Sequence, residues 1–361
     1  MASPKITVCM IVRDEAKGIG RAVASTRFLD PEYAVLDTGS VDGTQDILRS
    51  LGIEPVPFEW IGDFAAARNQ ALSLAKGEWV LSLDGDEVLA PFDHLEACSP
   101  EAAPAGYLLE KRSYVDDWLQ LGYRPCMGDY PLLEHGFPGY LSEPNDLLFR
   151  NLPGLSWKGA VHETIGQSIA ASGGFSKPLA GAVIHNYGRH GRSGVPKSYK
   201  ALVAKRLMQD PKDPVAWYYA GLEAQAAVAL EEAERCFSVS LELGKRDYAI
   251  FGLAKTQLML GKLSLAEQGF VDFLRMRPKE FPAWAGLLTA TMLRKDQGRT
   301  DYYVAWAEKA GMGTQEVYRF AAYVSGKLGN NEAKESYVRK SENVASAAAG
   351  PHTVPDGAHQ V

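Results

Sequence analysis

Gly77-Glu-Trp-Val-Leu-Ser-Leu-Asp-Gly-Asp-Glu87 decides how this chain is read, because an apolar run of strand length ends in two carboxylates separated by one glycine. Short continuous apolar runs bounded by turn signals suit a strand buried on both faces. Asp84 and Asp86 then stand at its carboxyl end. Such a strand end can direct one carboxylate towards a sugar or ribose hydroxyl and the other towards Mg²⁺ or Mn²⁺, a geometry that suits a metal-bound diphosphate. Gly85 is expected to let the substrate approach the backbone. Asp-x-Asp triplets are common in solvated loops, so the surrounding sequence has to carry the argument.

Upstream, Ile6-Thr-Val-Cys-Met-Ile-Val12 is a second apolar, β-branched run that stops at Arg13-Asp-Glu15 and reads as a central parallel strand. Residues 16–28 suit a helix, Tyr33-Ala-Val-Leu36 a strand, and Asp37-Thr-Gly-Ser-Val-Asp-Gly-Thr44 a polar turn opening a helix through Leu51. The order is βαβα. Open α/β sheets bind ligands beyond the carboxyl ends of their strands, where Asp14, Asp37 and Asp84 all fall.

Four segments now resemble one family in order and spacing: Cys9-Met-Ile-Val-Arg-Asp-Glu15, Val35-Leu-Asp-Thr-Gly-Ser-Val-Asp-Gly-Thr44, Asp63-Phe-Ala-Ala-Ala-Arg-Asn69 and Leu83-Asp-Gly-Asp-Glu87. They are similar to family 2 glycosyltransferases of the GT-A fold. The resemblance implies an α/β nucleotide-sugar-binding domain with a mostly parallel sheet. It implies donor contacts at Val12, Asp14, Asp37, Arg68, Asp84 and Gly85, with Asp37 on the nucleotide base, Asp84 on the ribose or diphosphate, and Asp86 on the metal. Arg68 and Asn69 would support the nucleotide pocket. Asp37 and Asp42 also suit plain turn and N-cap chemistry. A rival reading, the short-chain dehydrogenases, would use Gly18-Ile-Gly-Arg and the Tyr107-x-x-x-Lys111 spacing. It fails because the first strand runs into Arg13-Asp14-Glu15, whose carboxylates repel a pyrophosphate, and because Tyr107 reads as strand.

Residues 91–196 continue the domain through Pro- and Gly-rich connections, with residues 123–146 expected as a long irregular loop suited to acceptor binding or as an ordinary surface insertion. Leu147-Leu-Phe-Arg-Asn151, Ser156-Trp-Lys-Gly-Ala-Val-His-Glu-Thr164 and Ala182-Val-Ile-His-Asn-Tyr-Gly188 resemble later landmarks of the same subgroup. An inverting transfer needs a base to take the acceptor proton. Glu163 is the candidate, with Asp129, Glu134 and Asp146 behind it. His162 and His185 offer imidazoles to complement Asp86 at the metal, His185 being preferred; Mg²⁺ would favour oxygen ligands, and Mn²⁺ tolerates nitrogen better. Glu163 could otherwise pair with Lys158 or Arg150.

The chain of 361 residues exceeds the usual single-domain size and its net charge of −6 disfavours non-specific binding to nucleic acid or anionic membrane. No stretch approaches membrane-spanning length, residues 1–5 lead straight into a strand with no room for a signal peptide, and the four cysteines have neither zinc nor disulfide spacing. A cytoplasmic enzyme is expected. The run Arg189-His-Gly-Arg-Ser-Gly-Val-Pro-Lys197 reads as a solvated basic linker.

From about Ser198 a period of 33 to 34 residues emerges: Trp217, Ile250, Trp284 and Val317 near one phase, followed by Ala233 with Phe237, Ala266 with Phe270, and Ala333 with Tyr337. This resembles tetratricopeptide repeats, with register uncertain around Thr300 to Ala307. The expected domains are therefore 1–197 catalytic, 198–345 helical repeats and 346–361 a disordered tail. The expected function is transfer, with inversion, of a hexose or N-acetylhexosamine from a nucleotide sugar, most simply a UDP sugar. The acceptor is open among peptide or protein, glycan precursor and modified nucleobase, and the repeats suggest a protein partner. A repeat scaffold with an inactive GT-A domain and a nucleotidyltransferase are the alternatives.

Overall fold

The computed structural model describes residues 5–98, 104–159, 163–188, 200–244 and 247–348. His162, the 189–197 cluster and residues 349–361 lie outside them. The described residues form two compact units, one holding those up to Asp116 and from Gly128 to Gly188, the other holding Asp117–Met127 and the helices from Lys200 onward.

The first unit begins β1 (Ile6–Val12), α1 (Ile19–Thr26), β2 (Glu32–Asp37), α2 (Thr44–Ser50), β3 (Val56–Pro57), α3 (Phe64–Ser73), β4 (Trp79–Ser82). It continues with β5 (Glu87–Leu89), α4 (His94–Ala97) and β6 (Gly106–Val115). After β7 (Tyr123–Pro125), which falls in the second unit, come β8 (Gly139–Arg150), α5 (Gly166–Ala171) and β9 (Ser176–Asn186). The strand order within this unit is β3-β2-β1-β4-β8-β6-β9-β5. The β3-β2-β1-β4 half is parallel; β8 runs antiparallel to β4 and β6, and β9 parallel to β6 but antiparallel to β5.

β1 and β4 are apolar because they are the middle of the sheet: every residue of β4 and all but Ile11 of β1 are buried. That burial leaves the polar chemistry to the strand ends. α1 starts at Ile19 rather than Ala16, since the backbone N–H groups of Glu15 and Ala16 are taken by Thr44 Oγ1 and Asp42 Oδ2 from the neighbouring turn. Residues 139–146 are strand, not loop, paired with β6 from Gly139 opposite Val115 to Asp146 opposite Leu108. Pro144 and the polar run around it hide the alternation that marks a half-buried strand.

In the second unit, α6 (Lys200–Gln209) precedes four helix pairs: α7 (Pro214–Ala226) with α8 (Leu230–Glu242), α9 (Asp247–Met259) with α10 (Leu263–Met276), α11 (Phe281–Arg294) with α12 (Gln297–Lys309), and α13 (Gln315–Lys327) with α14 (Asn331–Ala348). α14 thus takes in residues 346–348 of the expected tail. The repeat phase is visible in one bond: Trp217 Nε1 donates to Pro211 O and Trp284 Nε1 to Pro278 O, each at 2.8 Å. Phe237, fully buried, lies where a side chain on either Gly221 or Gly252 would strike its ring. Phe270 stands in the same relation to Gly286. The third pair becomes regular once Thr300 and Val304 are seen in the places held elsewhere by alanine and phenylalanine, both buried, with Thr300 hydroxyl-bonded to Thr291 at 2.8 Å.

Candidate active site

The chain turns sharply after β4, so that Glu87 N–H bonds Asp84 O and Glu87 Oε2 accepts from Asp84 N–H at 2.9 Å. Carboxylate oxygens of Asp84, Asp86 and Glu87 lie within 4.8 Å of one another. They are not equivalent. Glu87 is 1 % exposed and committed to the protein, with Oε1 held by Lys111 Nζ and by Asn186 Nδ2 at 2.8 Å. Lys111 also lies 3.8 Å from Asp84 Oδ2. Burial works against its charge, but Glu87 and Asp84 outweigh it and hold the ammonium pKa above the ordinary lysine value. Gly85 also has a packing reason of its own. A Cβ there would meet the Glu15 side chain at 2.9 Å and Val12 at 3.3 Å, so glycine is needed for the loop to pack on the end of β1. Gly188, after β9, likewise has no room for a side chain beside Asp86 Oδ2.

Arg68 projects from α3, whose start is fixed by the Asp63 side chain accepting from Ala66 N–H at 3.0 Å. Its guanidinium makes three directed bonds: Nε to Glu163 Oε1 at 2.7 Å, Nη1 to Ser82 Oγ at 2.8 Å and Nη2 to Asp84 Oδ1 at 2.9 Å. Its Cζ lies 5.1 Å from the Trp157 ring centre. Burial opposes the charge, yet Asp84 and Glu163 reverse the balance and raise the guanidinium pKa further. Glu163 therefore pairs with Arg68, not with Lys158 or Arg150, and one guanidinium joins it to Asp84. Asn69 clamps the backbone beside this site: Oδ1 accepts from Trp157 N–H at 2.7 Å and Nδ2 donates to Trp157 O at 3.1 Å, as a strand partner would.

At the end of β2, Asp37 is 3 % exposed. Its Oδ1 accepts from Gly39 N–H, Ser40 N–H and Gln45 Nε2 at 2.9, 2.8 and 3.0 Å, while its buried Oδ2 has no protein partner. Desolvation would raise its pKa, but the bonds from Ser40, Gly39 and Gln45 prevail and lower it. The loops after β1 and β2 are stitched together around it. Asp14, in the left-handed region at φ 55°, donates its N–H to Ser40 Oγ and accepts from Val41 N–H through Oδ1. Val12 O accepts both the N–H and the hydroxyl of Thr38 at 2.9 and 3.1 Å. Val12 and Asp14 thus shape the turn that carries Asp37.

His185 is placed elsewhere. It is fully buried, its Nδ1 lies 2.6 Å from Tyr114 Oη, and Nε2 has no protein partner. Burial, then the nearby Arg112 cation, push its pKa down to about 4. Asn186, not His185, reaches Glu87, because successive side chains of a strand point to opposite faces. The reserve bases are also engaged: Asp129 pairs with Arg112 at 3.3 Å, and Glu134 is buried accepting from Gly128 N–H. Asp146 lies on β8 opposite Leu108. Lys111, Ser82, Asn186 and Trp157 complete the constellation without having been singled out for it; the Lys111 signal was its place on a strand next to an acidic turn, which only the β6 register reveals.

The family model for glycosyl transferase family 2 matches residues 7–107. A TPR repeat-containing protein of Synechococcus elongatus is 36 % identical over 171 residues, 47 % of this chain and 38 % of that protein. An uncharacterized glycosyltransferase of Rickettsia bellii is 33 % identical over 90 residues, 25 % of this chain and 30 % of its own length. Glycosyltransferase SunS of Bacillus subtilis is 34 % identical over 88 residues, covering 24 % and 21 %. The chain thus spans less than half the length of each of these relatives. With the acidic turn after β4 and the Arg68 fork, residues 7–107 are similar to the family 2 glycosyl transferases, and the paired helices that follow this domain are similar to tetratricopeptide repeats.

Proposed function

We propose that this protein is an inverting, metal-dependent glycosyltransferase that moves a hexose or N-acetylhexosamine from a nucleotide sugar, a UDP sugar, to an acceptor hydroxyl or comparable nucleophile. The observation that carries the reading is the acidic turn Asp84–Glu87 beside the buried, half-bonded carboxylate of Asp37. Asp37 Oδ2 is an acceptor in need of an N–H donor, and the imide of a uracil base supplies one. The donor set at the turn is all oxygen, which fits Mg²⁺ or Mn²⁺ held by one or two carboxylates plus substrate phosphates. Asp86 and Asp84 are the residues that would hold the ion, since Glu87 is spent on Lys111 and Asn186. When bound, the ion neutralises charge on the leaving diphosphate.

Glu163 is the proposed base. Arg68 ties it to Asp84, and this shared guanidinium supports the reading by holding a second carboxylate at a fixed spacing from the acidic turn, as a base that takes a proton from the nucleophile during attack on the anomeric carbon requires. A single displacement of this kind inverts the anomeric configuration. The repeats are the proposed protein-interaction part, and no helix among the described residues is long and apolar enough to cross a membrane. The test is to incubate the chain with UDP-glucose and UDP-N-acetylglucosamine with and without Mn²⁺. UDP release abolished by chelator is expected. Release that survives chelation overturns the metal, pyrophosphate in place of UDP makes the chain a nucleotidyltransferase, and no binding of any nucleotide sugar makes the domain an inactive scaffold.

A further inference from the structure

The odd-numbered helices α7, α9, α11 and α13 pack on one another in succession and so form one continuous layer of the repeat array. In paired-helix solenoids such a layer offers an extended surface for binding a partner. Here a stretch of the same chain lies on it. Asp117–Met127 belongs to the repeat unit although it is inserted in sequence between β6 and the 128–138 loop.

Its contacts have the character of recognition. Asp117 Oδ2 accepts from Lys255 Nζ on α9 at 2.7 Å, while its Oδ1 caps the turn by accepting from Leu119 N–H. Lys255 is 15 % exposed, so the pair is sheltered from full screening. Trp118 meets Phe320 of α13 edge-on at 5.8 Å between ring centres, and Tyr123 stacks on Phe281 of α11 at 6.0 Å. Phe281 and Phe320 touch each other at 6.0 Å, so the two aromatic anchors of the segment share one floor. Leu119 and Tyr123 are buried. An acidic residue, an adjacent aromatic and a second aromatic five positions on therefore engage three successive odd-numbered helices.

The fit is incomplete. Trp118 Nε1 and Gln120 Oε1 are both buried without a protein partner. An unmade buried hydrogen bond weakens the docked state. We propose that this face of the repeats is a peptide-recognition surface whose resident ligand is the chain's own 117–127 segment, held by Lys255, Phe281 and Phe320 and displaceable by a second peptide of the same acidic–aromatic pattern. The 117–127 segment is then the repeats' own ligand within their unit, and any protein partner on this face competes with it.

Two measurements on the full chain test this. Amide hydrogen exchange read by mass spectrometry should show 117–127 protected, and Lys255→Met with Phe320→Ala should speed its exchange at least about tenfold with α8 and α10 unchanged. Exchange in 117–127 that is already as fast as in a free peptide, or unmoved by the substitutions, overturns the proposal. Should that variant fail to fold, a fluorescent peptide of residues 116–127 is titrated instead against wild type and against Trp118→Ala with Tyr123→Ala. Vacating the surface should tighten peptide binding about tenfold or more, because the competent fraction rises. Equal affinity for both chains, or binding to neither, overturns it.

Discussion

On one side of β6, Lys111 faces Glu87 and Asp84; on the other, the next residue, Arg112, faces Glu110, Asp129 and the rings of Tyr130 and Tyr140. The first set is an acidic turn with two embedded cations, open to further positive charge. The second is an aromatic cage, where Tyr114 stacks with Phe137 and Tyr187 and with the neutral imidazole of His185. A period of two along a strand keeps the chemistries apart with no intervening layer. Residues adjacent in sequence can therefore have unrelated roles here, and residues remote in sequence, such as Arg68 and Glu163, the same one.

The largest expected effect breaks the acidic side. Asp86→Ala should cost about 4 kcal/mol of transition-state stabilisation, roughly a thousandfold in metal-dependent turnover, with little change in Tm. Turnover of that variant equal to wild type would remove Asp86 from the site. Glu163→Gln comes next, slowing transfer about a hundredfold while leaving UDP affinity intact. If the amide instead lowers Tm and spares turnover per folded molecule, Glu163 serves only to neutralise Arg68. Asp37→Ala should weaken UDP about tenfold by calorimetry and raise KM more than it lowers kcat, since the contact persists from ground state to transition state.

The smallest effect sharpens the comparison. His185→Gln should leave the Mn²⁺ dependence of turnover unchanged, because the imidazole lies on the aromatic side. It should instead alter acid stability. In the folded protein the imidazole is held near pKa 4 against an ordinary 6.5, so between those values the unfolded chain binds the extra proton. The contribution is fully present above about 6.5 and is lost as pH falls through that window, so Tm should drop less steeply from pH 6.5 to 4 in the variant. A His185→Gln variant with reduced Mn²⁺ affinity would return the residue to the metal.

The parallel half was legible in the sequence for a physical reason: buried central strands need unbroken apolar runs, so Ile6–Val12 and Trp79–Ser82 mark themselves, and their acidic ends follow. The repeats were legible because each pair must bury the same face. What the sequence leaves open depends on register. Nothing in Ile184-His-Asn186 says which side chain reaches Glu87; the pairing of Glu87 with Asn186 and of Val88 with His185 does. The Glu163–Arg68 bond spans 95 residues of chain, beyond any local pattern. Proline and polar residues mask the strand at 139–146, and no local pattern tells the 117–127 loop which unit it will join.

Phe237 sits against glycines of two successive odd-numbered helices, Gly221 before it and Gly252 after it. Its ring is therefore common property of neighbouring repeats. In the language of one-dimensional cooperative systems, the stability of the array resides in the junctions as much as in the units. Enlarging either glycine would uncouple neighbours, and the array would melt in steps instead of as one domain.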